Sequence, residues 1–417
     1  MTSCFRVMLT VLCAAALVGS AAIAQIGQGG IVKRHKLRVS PEARAAAAHP
    51  ANGVLLSAPL PGLDASQLAT FNGGLEEFQS VETPEGGLGP IFNDSACAAC
   101  HTAGGIGGAS DQTVTRFGRL VNGVFDPLAQ LGGSLLQAQA IDPKVQEQIP
   151  AQANVIAKRV TTPLFGAGLI EAIADGDIEA NAARRKPDGI AGRVAYITDI
   201  VSGTRRVGRF GWKAQHATIL AFASDAYLNE MGITNRFFPN ENAPNGRADL
   251  LAAFDKVADI EDALDPATGK SDIDHSADFI RFLAAPATGR LTANSMAGGK
   301  LFEHVQCAAC HTPVLMTGAS SVNALAHKPV PLYSDLLLHD MGALGDGISQ
   351  EAANGREMRT APLWGLRARP ALLHDGRAKT VQQAIEQHDG EALTSRKLYS
   401  GLSPNEKRQL LEFLNGI

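Results

Sequence analysis

The pentapeptide CAACH occurs at residues 97–101 and again at residues 307–311. The chain has six cysteines, and the two outside these copies, Cys4 and Cys13, lie in an apolar N-terminal segment. Two cysteines one helical turn apart, followed directly by a histidine, form the pattern that attaches a c-type haem. We therefore predict two covalently bound haem c groups. Their attachment residues are Cys97, Cys100 and His101 in the first copy and Cys307, Cys310 and His311 in the second.

Paired cysteines have two other common uses, disulfides and zinc sites. Disulfides are common in exported proteins, but they give no reason for a histidine after each pair. A zinc ribbon usually keeps its two C-x-x-C pairs about 15–20 residues apart, much closer than the copies in this chain, and it needs no histidine directly after each pair. Both alternatives explain the pattern less completely than haem attachment does.

The N-terminus predicts export. Arg6 precedes an apolar run over residues 7–18, and Ala22 and Ala24 stand in A-x-A spacing, so residues 1–24 read as a cleaved secretory signal that directs the protein to the periplasm. The apolar run is too short to cross a bilayer as a helix, so we expect no membrane span after cleavage. The formal net charge of -4 comes with no basic patch, which argues against a nucleic-acid partner.

Helical patterns flank the second motif. Leu301, Phe302 and Val305 recur at helical spacing just before Cys307, as in a helix that turns its apolar face to a haem. At the C-terminus, Ser403 reads as a helix N-cap with Pro404 at the first helical position and Glu406 completing a capping box. An earlier helix is predicted over residues 65–79. A helix before the haem motif and one at the terminus are the pair that a small cytochrome fold packs together.

The predicted fold class is mainly α, with two cytochrome c-like haem domains and loop-rich insertions. Pro286 and Gly289 mark the junction between the domains. The predicted divisions are 1–24 for the signal peptide, 25–60 for an extended N-terminal arm, 61–287 for the N-terminal haem domain and 288–417 for the C-terminal haem domain.

Longer motifs resemble a known family. They are FNDSACAACHTAGG, RFGWKA followed by NEMGIT, LLLHDMG, and RTAPLWGLRARPALLHDGRAKTVQQAIEQHDGEA. Over residues 60–415 the chain resembles the bacterial dihaem cytochrome c peroxidase superfamily, in its dihaem oxidoreductase (thiol oxidoreductase-like) branch. The resemblance implies an enzyme that reduces hydrogen peroxide at the N-terminal haem. Electrons from an exported donor protein would enter at the C-terminal haem.

The resemblance also implies how each iron is ligated. His388 matches the position of the sixth ligand of the C-terminal haem, and a bis-histidine haem has a lower potential than one with a methionine ligand. Met341 in LLLHDMG is the alternative ligand. After the first motif, no histidine or methionine follows until His216, which predicts an open or weakly capped N-terminal haem. His216 and Met231 remain alternative caps.

Further roles follow from the same resemblance. Glu230 in NEMGIT matches the acid/base glutamate that moves a proton during O–O cleavage, although a solvated glutamate is the plainer interpretation. Trp212 matches a tryptophan between the haems, with a core role as the alternative. Arg116, Arg119 and Arg377 are candidates to pair with haem propionates. Members of the superfamily often hold calcium between domains, but no run of carboxylates here demands it.

Two other functions remain open. The protein is a non-catalytic dihaem electron-transfer protein if both irons have two protein ligands. A third function is oxidation of a partner protein through a high-valent dihaem state. The branch with that activity uses a tyrosine at the position of His388, which counts against it.

Overall fold

The computed structural model describes residues 37–38, 56–187, 189–257, 262–290 and 292–417. The predicted signal peptide, residues 1–24, and most of the predicted arm, residues 25–60, lie outside these ranges. The end of the arm is described, and there Leu56 and Leu60 are buried. The backbone N–H of Leu60 donates to the carbonyl oxygen of Phe282, so this segment runs along the core.

Helix outweighs strand, with 35% of the residues helical and 16% in strands, which agrees with the mainly α prediction. In the described residues the α-helices are α1 (Ala65–Phe78), α2 (Cys97–Cys100), α3 (Ala167–Glu171), α4 (Asp175–Ala182), α5 (Ile219–Met231), α6 (Ala248–Phe254), α7 (Asp272–Phe282), α8 (Ala293–His304), α9 (Val381–Glu386), α10 (Leu393–Ser400) and α11 (Pro404–Gly416). None of these helices is long and apolar enough to cross a membrane.

The strands are short apart from β4 and β8. They are β1 (Leu37–Arg38), β2 (Ser80–Val81), β3 (Ile91–Phe92), β4 (Thr113–Val121), β5 (Val124–Asp126), β6 (Leu135–Leu136), β7 (Gln139–Ala140), β8 (Val155–Val160), β9 (Tyr196–Thr198), β10 (Arg205–Val207), β11 (Leu315–Met316), β12 (Pro329–Val330), β13 (Leu338–Asp340) and β14 (Glu357–Arg359). An antiparallel sheet forms around β4, which pairs with β5, β6 and β8. The sequence analysis predicted loop-rich insertions and did not specify this sheet, although β-branched and aromatic residues such as those of β4 favour strands.

Two helix pairs pack in the same way, with a glycine at the point where the helices cross. α1 packs against α7, and α8 packs against α11. At each crossing a glycine lets the backbones approach: a Cβ on Gly74 would overlap the carbonyl oxygen of His275, and a Cβ on Gly298 would overlap that of Gln409. Four residues after each glycine stands a buried phenylalanine. The predicted capping box of Ser403 and Glu406 is present at the start of α11.

These glycines give a matched stability test. Gly298→Ala is expected to lower the free energy of unfolding by about 1–3 kcal/mol, because an added methyl group cannot fit without moving α11. Gly299→Ala is the control: its Cβ would meet Phe413 at an ordinary 3.5 Å, and alanine in a helix gains roughly 0.5–1 kcal/mol over glycine. Denaturant titration of the holoprotein measures both. Equal effects would contradict the close-crossing interpretation.

The hydrophobic core spans the predicted domain boundary. Its largest cluster combines residues of the first half, such as Phe78 and Phe279, with Leu336 and Trp364 of the second half. A separate cluster lies wholly in the second half and includes Phe302. Contacts group the described residues into one compact unit, and the division at 287 and 288 stays a prediction.

Candidate functional site

The first CAACH copy forms one wall of a cavity. α2 carries Cys97 and Cys100, and both side chains line the cavity together with His101. Nδ1 of His101 lies 2.9 Å from the carbonyl oxygen of Gly108, so Nδ1 carries the ring proton and Nε2 is left as the basic nitrogen. Burial lowers the pKa of His101 to about 4. The imidazole is therefore neutral, as a metal ligand must be.

The second copy repeats this arrangement in a second cavity. Cys307 begins a 3₁₀ turn, Cys307–Ala309, and the motif residues line the cavity together. Nδ1 of His311 lies 3.0 Å from the carbonyl oxygen of Tyr333, and burial lowers the pKa of this histidine to about 4. The packing is also repeated: Phe78 of α1 lies against His101, and Phe302 of α8 lies against His311.

The cysteines fit haem attachment and not the two alternatives. All four form no disulfide, although each pair lies on one short turn. The pairs line different cavities, so they do not come together as a four-cysteine zinc site would require. The cavities enclose about 1180 Å³ at the first motif and 1270 Å³ at the second, including space open to solvent. Each is thus a large, mostly apolar cleft with two thiols and a neutral imidazole on its wall.

His388 lies across the C-terminal cavity from His311. Their ring centres are 6.4 Å apart. An imidazole nitrogen lies about 2 Å from its metal and the ring centre roughly 1 Å further back, so two imidazoles on opposite sides of one metal have centres about 6 Å apart. Nδ1 of His388 lies 2.7 Å from the carbonyl oxygen of Ala384. Both rings therefore present Nε2, and their spacing fits one iron between them.

Two other possible ligands line the same cavity. Met341 lines this cavity, but the ring contact with His311 is made by His388. His339 has both ring nitrogens occupied, Nε2 by Asp335 at 3.0 Å and Nδ1 by Glu391 at 2.8 Å. Burial opposes its charged form, but the interactions with Asp335, Cys310 and Glu391 outweigh burial and raise its pKa to about 12. A charged imidazolium cannot ligate a metal, so His339 serves as a structural cation.

The N-terminal cavity has a polar wall in place of a second histidine. Glu230, near the end of α5, lines it, and Oε2 of Glu230 accepts a hydrogen bond of 2.8 Å from Nδ2 of Asn93. Burial raises the pKa of Glu230 above its ordinary value. Arg116 of β4 also lines the cavity, and its buried Nε has no hydrogen-bond partner.

The two alternative caps of this cavity are placed differently. Met231 is buried and lines the cavity. His216 lies outside the lining residues, and its Nε2 faces Asp225 at 3.4 Å. The described wall therefore contains one thioether besides its carboxylate and guanidinium groups, and no imidazole besides that of His101.

Trp212 lies between the two cavities and lines both of them. Its Nε1–H donates to the carbonyl oxygen of Val160 at 2.9 Å, and its ring meets the edge of His374 with the centres 6.3 Å apart. Val160 belongs to β8 and lines the N-terminal cavity, whereas His374 lines the C-terminal one. The indole is therefore fixed by groups from both sides.

Of the three arginines predicted to pair with haem propionates, Arg116 lines the N-terminal cavity, and Arg119 and Arg377 line neither cavity. Arg119 is exposed on β4 and lines neither cavity, and Arg377 is exposed and pairs with Asp375. Sequence reasoning missed Arg359 and Arg369, which line the C-terminal cavity. Among the described residues no cluster of acidic, histidine or cysteine side chains is placed to hold a metal ion, and calcium stays an implication of the resemblance.

Comparisons with known proteins agree with the motifs. The family model described as "Di-haem oxidoreductase, putative peroxidase" matches residues 136–417, a range that includes the second CAACH copy and begins after the first. No curated protein matches the chain.

Several solved structures are similar at low identity. Hydrazine synthase from Kuenenia stuttgartiensis, pressurized with xenon, has 15% identity and a TM-score of 0.38, with 96% of this chain and 100% of that chain covered. A MauG-like protein associated with microbial copper homeostasis has 16% identity and a TM-score of 0.31, with 61% and 88% covered. A variant of the diheme peroxidase BthA from Burkholderia thailandensis has 13% identity and a TM-score of 0.31, with 68% and 90% covered.

Proposed function

The chain belongs to the di-haem oxidoreductase family, and from that premise we propose that it is an exported c-type dihaem enzyme that reduces hydrogen peroxide at its N-terminal haem. Electrons would come from an exported donor protein and enter at the C-terminal haem. The two haems would be attached covalently through the cysteines of the two CAACH motifs. Export to the periplasm, where such attachment takes place, is part of the proposal.

One observation carries the proposal: in the described residues the cavity of the second motif is lined by a second histidine close to its motif histidine, and the cavity of the first motif is not. His388 supports a closed, bis-histidine site at the second motif. The cavity that holds His101 is lined by Glu230 and Arg116, which are suited to handle protons and negative charge. An iron with two protein ligands mostly passes electrons, whereas an iron with one vacant side can take up a small molecule.

The residues of the N-terminal cavity would supply the proton chemistry. When bound, the haem supplies the iron that takes up peroxide and the path by which electrons reach it. Glu230 accepts a proton from one peroxide oxygen and donates it to the other as the O–O bond breaks. Asn93 holds the carboxylate in place through its amide. The balance is one peroxide, two electrons and two protons to two waters.

Trp212 would serve the electron path. It is the aromatic side chain that borders both cavities, and an indole can carry an electron hole between two redox centres. The hydrogen bond from Nε1–H to the carbonyl oxygen of Val160 fixes the orientation of the ring. A carbonyl oxygen is not a base that takes up the indole proton. The ring thus stays in one orientation and one protonation state.

Electron paramagnetic resonance of the oxidised and half-reduced holoprotein tests the proposal. We expect one high-spin and one low-spin ferric haem, two haems for each chain by haemochrome assay, and turnover of hydrogen peroxide with a reduced small electron donor. Two low-spin signals in both forms with no peroxide turnover would favour the non-catalytic electron-transfer protein. A stable high-valent state without peroxide turnover would favour oxidation of a partner protein.

A further inference from the structure

Two arginines line the C-terminal cavity and a smaller cavity beside it. Arg359 lies at the end of β14 and is 7% exposed, and Arg369 is half-buried. The smaller cavity also contains Trp212 and Trp364 on its walls. Both arginines therefore line the same two cavities as Trp212, the tryptophan between the two sites.

Neither arginine forms a salt bridge in the described part of the chain, and Asp335, the carboxylate that acts on Arg359, is paired with Lys186 and His339. Arg359 donates from Nε to the carbonyl oxygen of Gly211 at 2.8 Å, and from Nη1 to that of Thr360 at 3.0 Å. Arg369 donates from Nη2 to the carbonyl oxygens of Pro362 and Trp364. Its buried Nε has no acceptor. Carbonyl groups satisfy donors, but they do not neutralise charge.

The two positive charges also repel each other. Burial lowers the pKa of each guanidinium to about 10; for Arg359 the charge of Arg369 contributes to this lowering, and the carboxylate of Asp335 acts in the opposite direction. Buried charges are normally paired, since an unpaired one loses its hydration without compensation. Two cations on the wall of one cavity thus call for two negative charges inside it. A guanidinium binds carboxylates well because it offers parallel N–H donors.

We propose that Arg359 and Arg369 bind the two propionate carboxylates of the haem in the C-terminal cavity. This inference rests on the haem assignment of the proposed function and is independent of peroxide turnover. It replaces the earlier candidate Arg377, whose charge is already neutralised by Asp375 at the surface.

The assignment fixes which edge of the haem faces the N-terminal site. Arg359 is joined to the tryptophan segment, because its backbone N–H donates to the carbonyl oxygen of Trp212 at 2.9 Å and its Nε donates to Gly211. The propionate edge would then lie beside Trp212. The same two arginines would hold the cofactor and align it with the residue that separates the two cavities.

The reduction potential of the low-spin haem tests this assignment in the holoprotein. Arg369→Gln is expected to lower the potential, because one propionate charge is no longer balanced and negative charge near the iron favours the ferric state. Arg369→Lys keeps the charge but not the planar guanidinium, and it should return most of the shift. Arg377→Gln is the matched control and should leave the potential unchanged. Spectroelectrochemical titration without peroxide measures all three.

The outcomes separate binding from a structural role. If Arg369 acts only by bracing the carbonyl oxygens of Pro362 and Trp364, the Lys and Gln variants should shift the potential equally, and the proposal is overturned. An unchanged potential in both Arg369→Gln and Arg359→Gln, with haem retained, overturns it too. If Arg369→Gln fails to fold, Arg359→Gln is measured alone with the same expected direction. Haem stoichiometry reports separately whether the cofactor assignment itself holds.

Discussion

Glu230→Gln is expected to lower kcat/KM for hydrogen peroxide by roughly 10²–10⁴-fold, the usual contribution of a positioned acid/base group. The substitution is nearly isosteric, and the Gln carbonyl oxygen can still accept from Nδ2 of Asn93, the 2.8 Å bond present with glutamate. An amide cannot accept a proton at any pH of interest. The cavity should therefore keep its shape and lose its base, and steady-state peroxide kinetics measure the loss.

Glu147→Gln is the matched control. Glu147 is also a buried glutamate whose pKa burial raises, but it lines neither cavity and accepts from the backbone N–H groups of Gln137 and Asn245. Its replacement should affect stability and leave peroxide turnover unchanged. Equal turnover losses in the Glu230 and Glu147 variants, or full activity in Glu230→Gln, would remove Glu230 from the mechanism.

The pH profile gives a second readout for Glu230. Its carboxylate is the form that accepts the peroxide proton, and burial raises the pKa of this group above the ordinary 4.5. Activity should therefore fall as the pH drops through that raised pKa, at higher pH than for an exposed glutamate. This acid limb should be missing from the residual activity of Glu230→Gln.

Local sequence patterns predicted the parts of the molecule that depend on neighbouring residues. The CAACH motifs place both thiols and the histidine within one turn, so their presence on one cavity wall follows from the spacing. The capping box of Ser403 and Glu406 is equally local. Leu301 and Phe302 fall in α8, and Val305 caps its end, as the periodicity indicated. Such features are set by backbone geometry over a few residues.

A glycine and a phenylalanine before each motif form a further repeat, which the sequence analysis did not include. Gly74 and Phe78 are four residues apart, as are Gly298 and Phe302, and each pair precedes a CAACH motif. In the structure each glycine lies at a helix crossing and each phenylalanine lies against the motif histidine. A glycine four residues before a phenylalanine is common in any chain, so the pattern gains meaning only when it is found twice before the same motif.

Long-range contacts account for what the sequence did not predict. The propionate candidates were chosen from arginines near recognisable motifs, and two of the three are exposed. Whether Arg359 and Arg369 have counter-ions depends on which segments fold over them, among them Gly211 from the other half of the chain. The residues next to Arg359 in the sequence do not indicate its contact with Gly211. The sheet around β4 likewise brings Arg116 to the N-terminal cavity only through tertiary packing.

His388→Ala is expected to convert the low-spin haem to high spin, because it removes the imidazole whose ring centre lies 6.4 Å from that of His311. Among the described residues, the other two imidazoles that line the cavity are not suited to replace it: His339 is a cation held by two carboxylates, and His374 lies at the edge of Trp212. The low-spin resonance of the ferric protein should vanish, which electron paramagnetic resonance and the visible spectrum both measure.

Two companion variants decide between the ligand candidates. Met341→Ala should leave the low-spin signal intact, since the bis-histidine geometry does not use the thioether. His388→Met should keep a six-coordinate haem but raise its reduction potential, because a methionine ligand favours the ferrous state. If His388→Ala keeps the low-spin signal and Met341→Ala loses it, the methionine is the ligand. The second haem would then be a high-potential relay, and the contrast between the two cavities would rest on the N-terminal site alone.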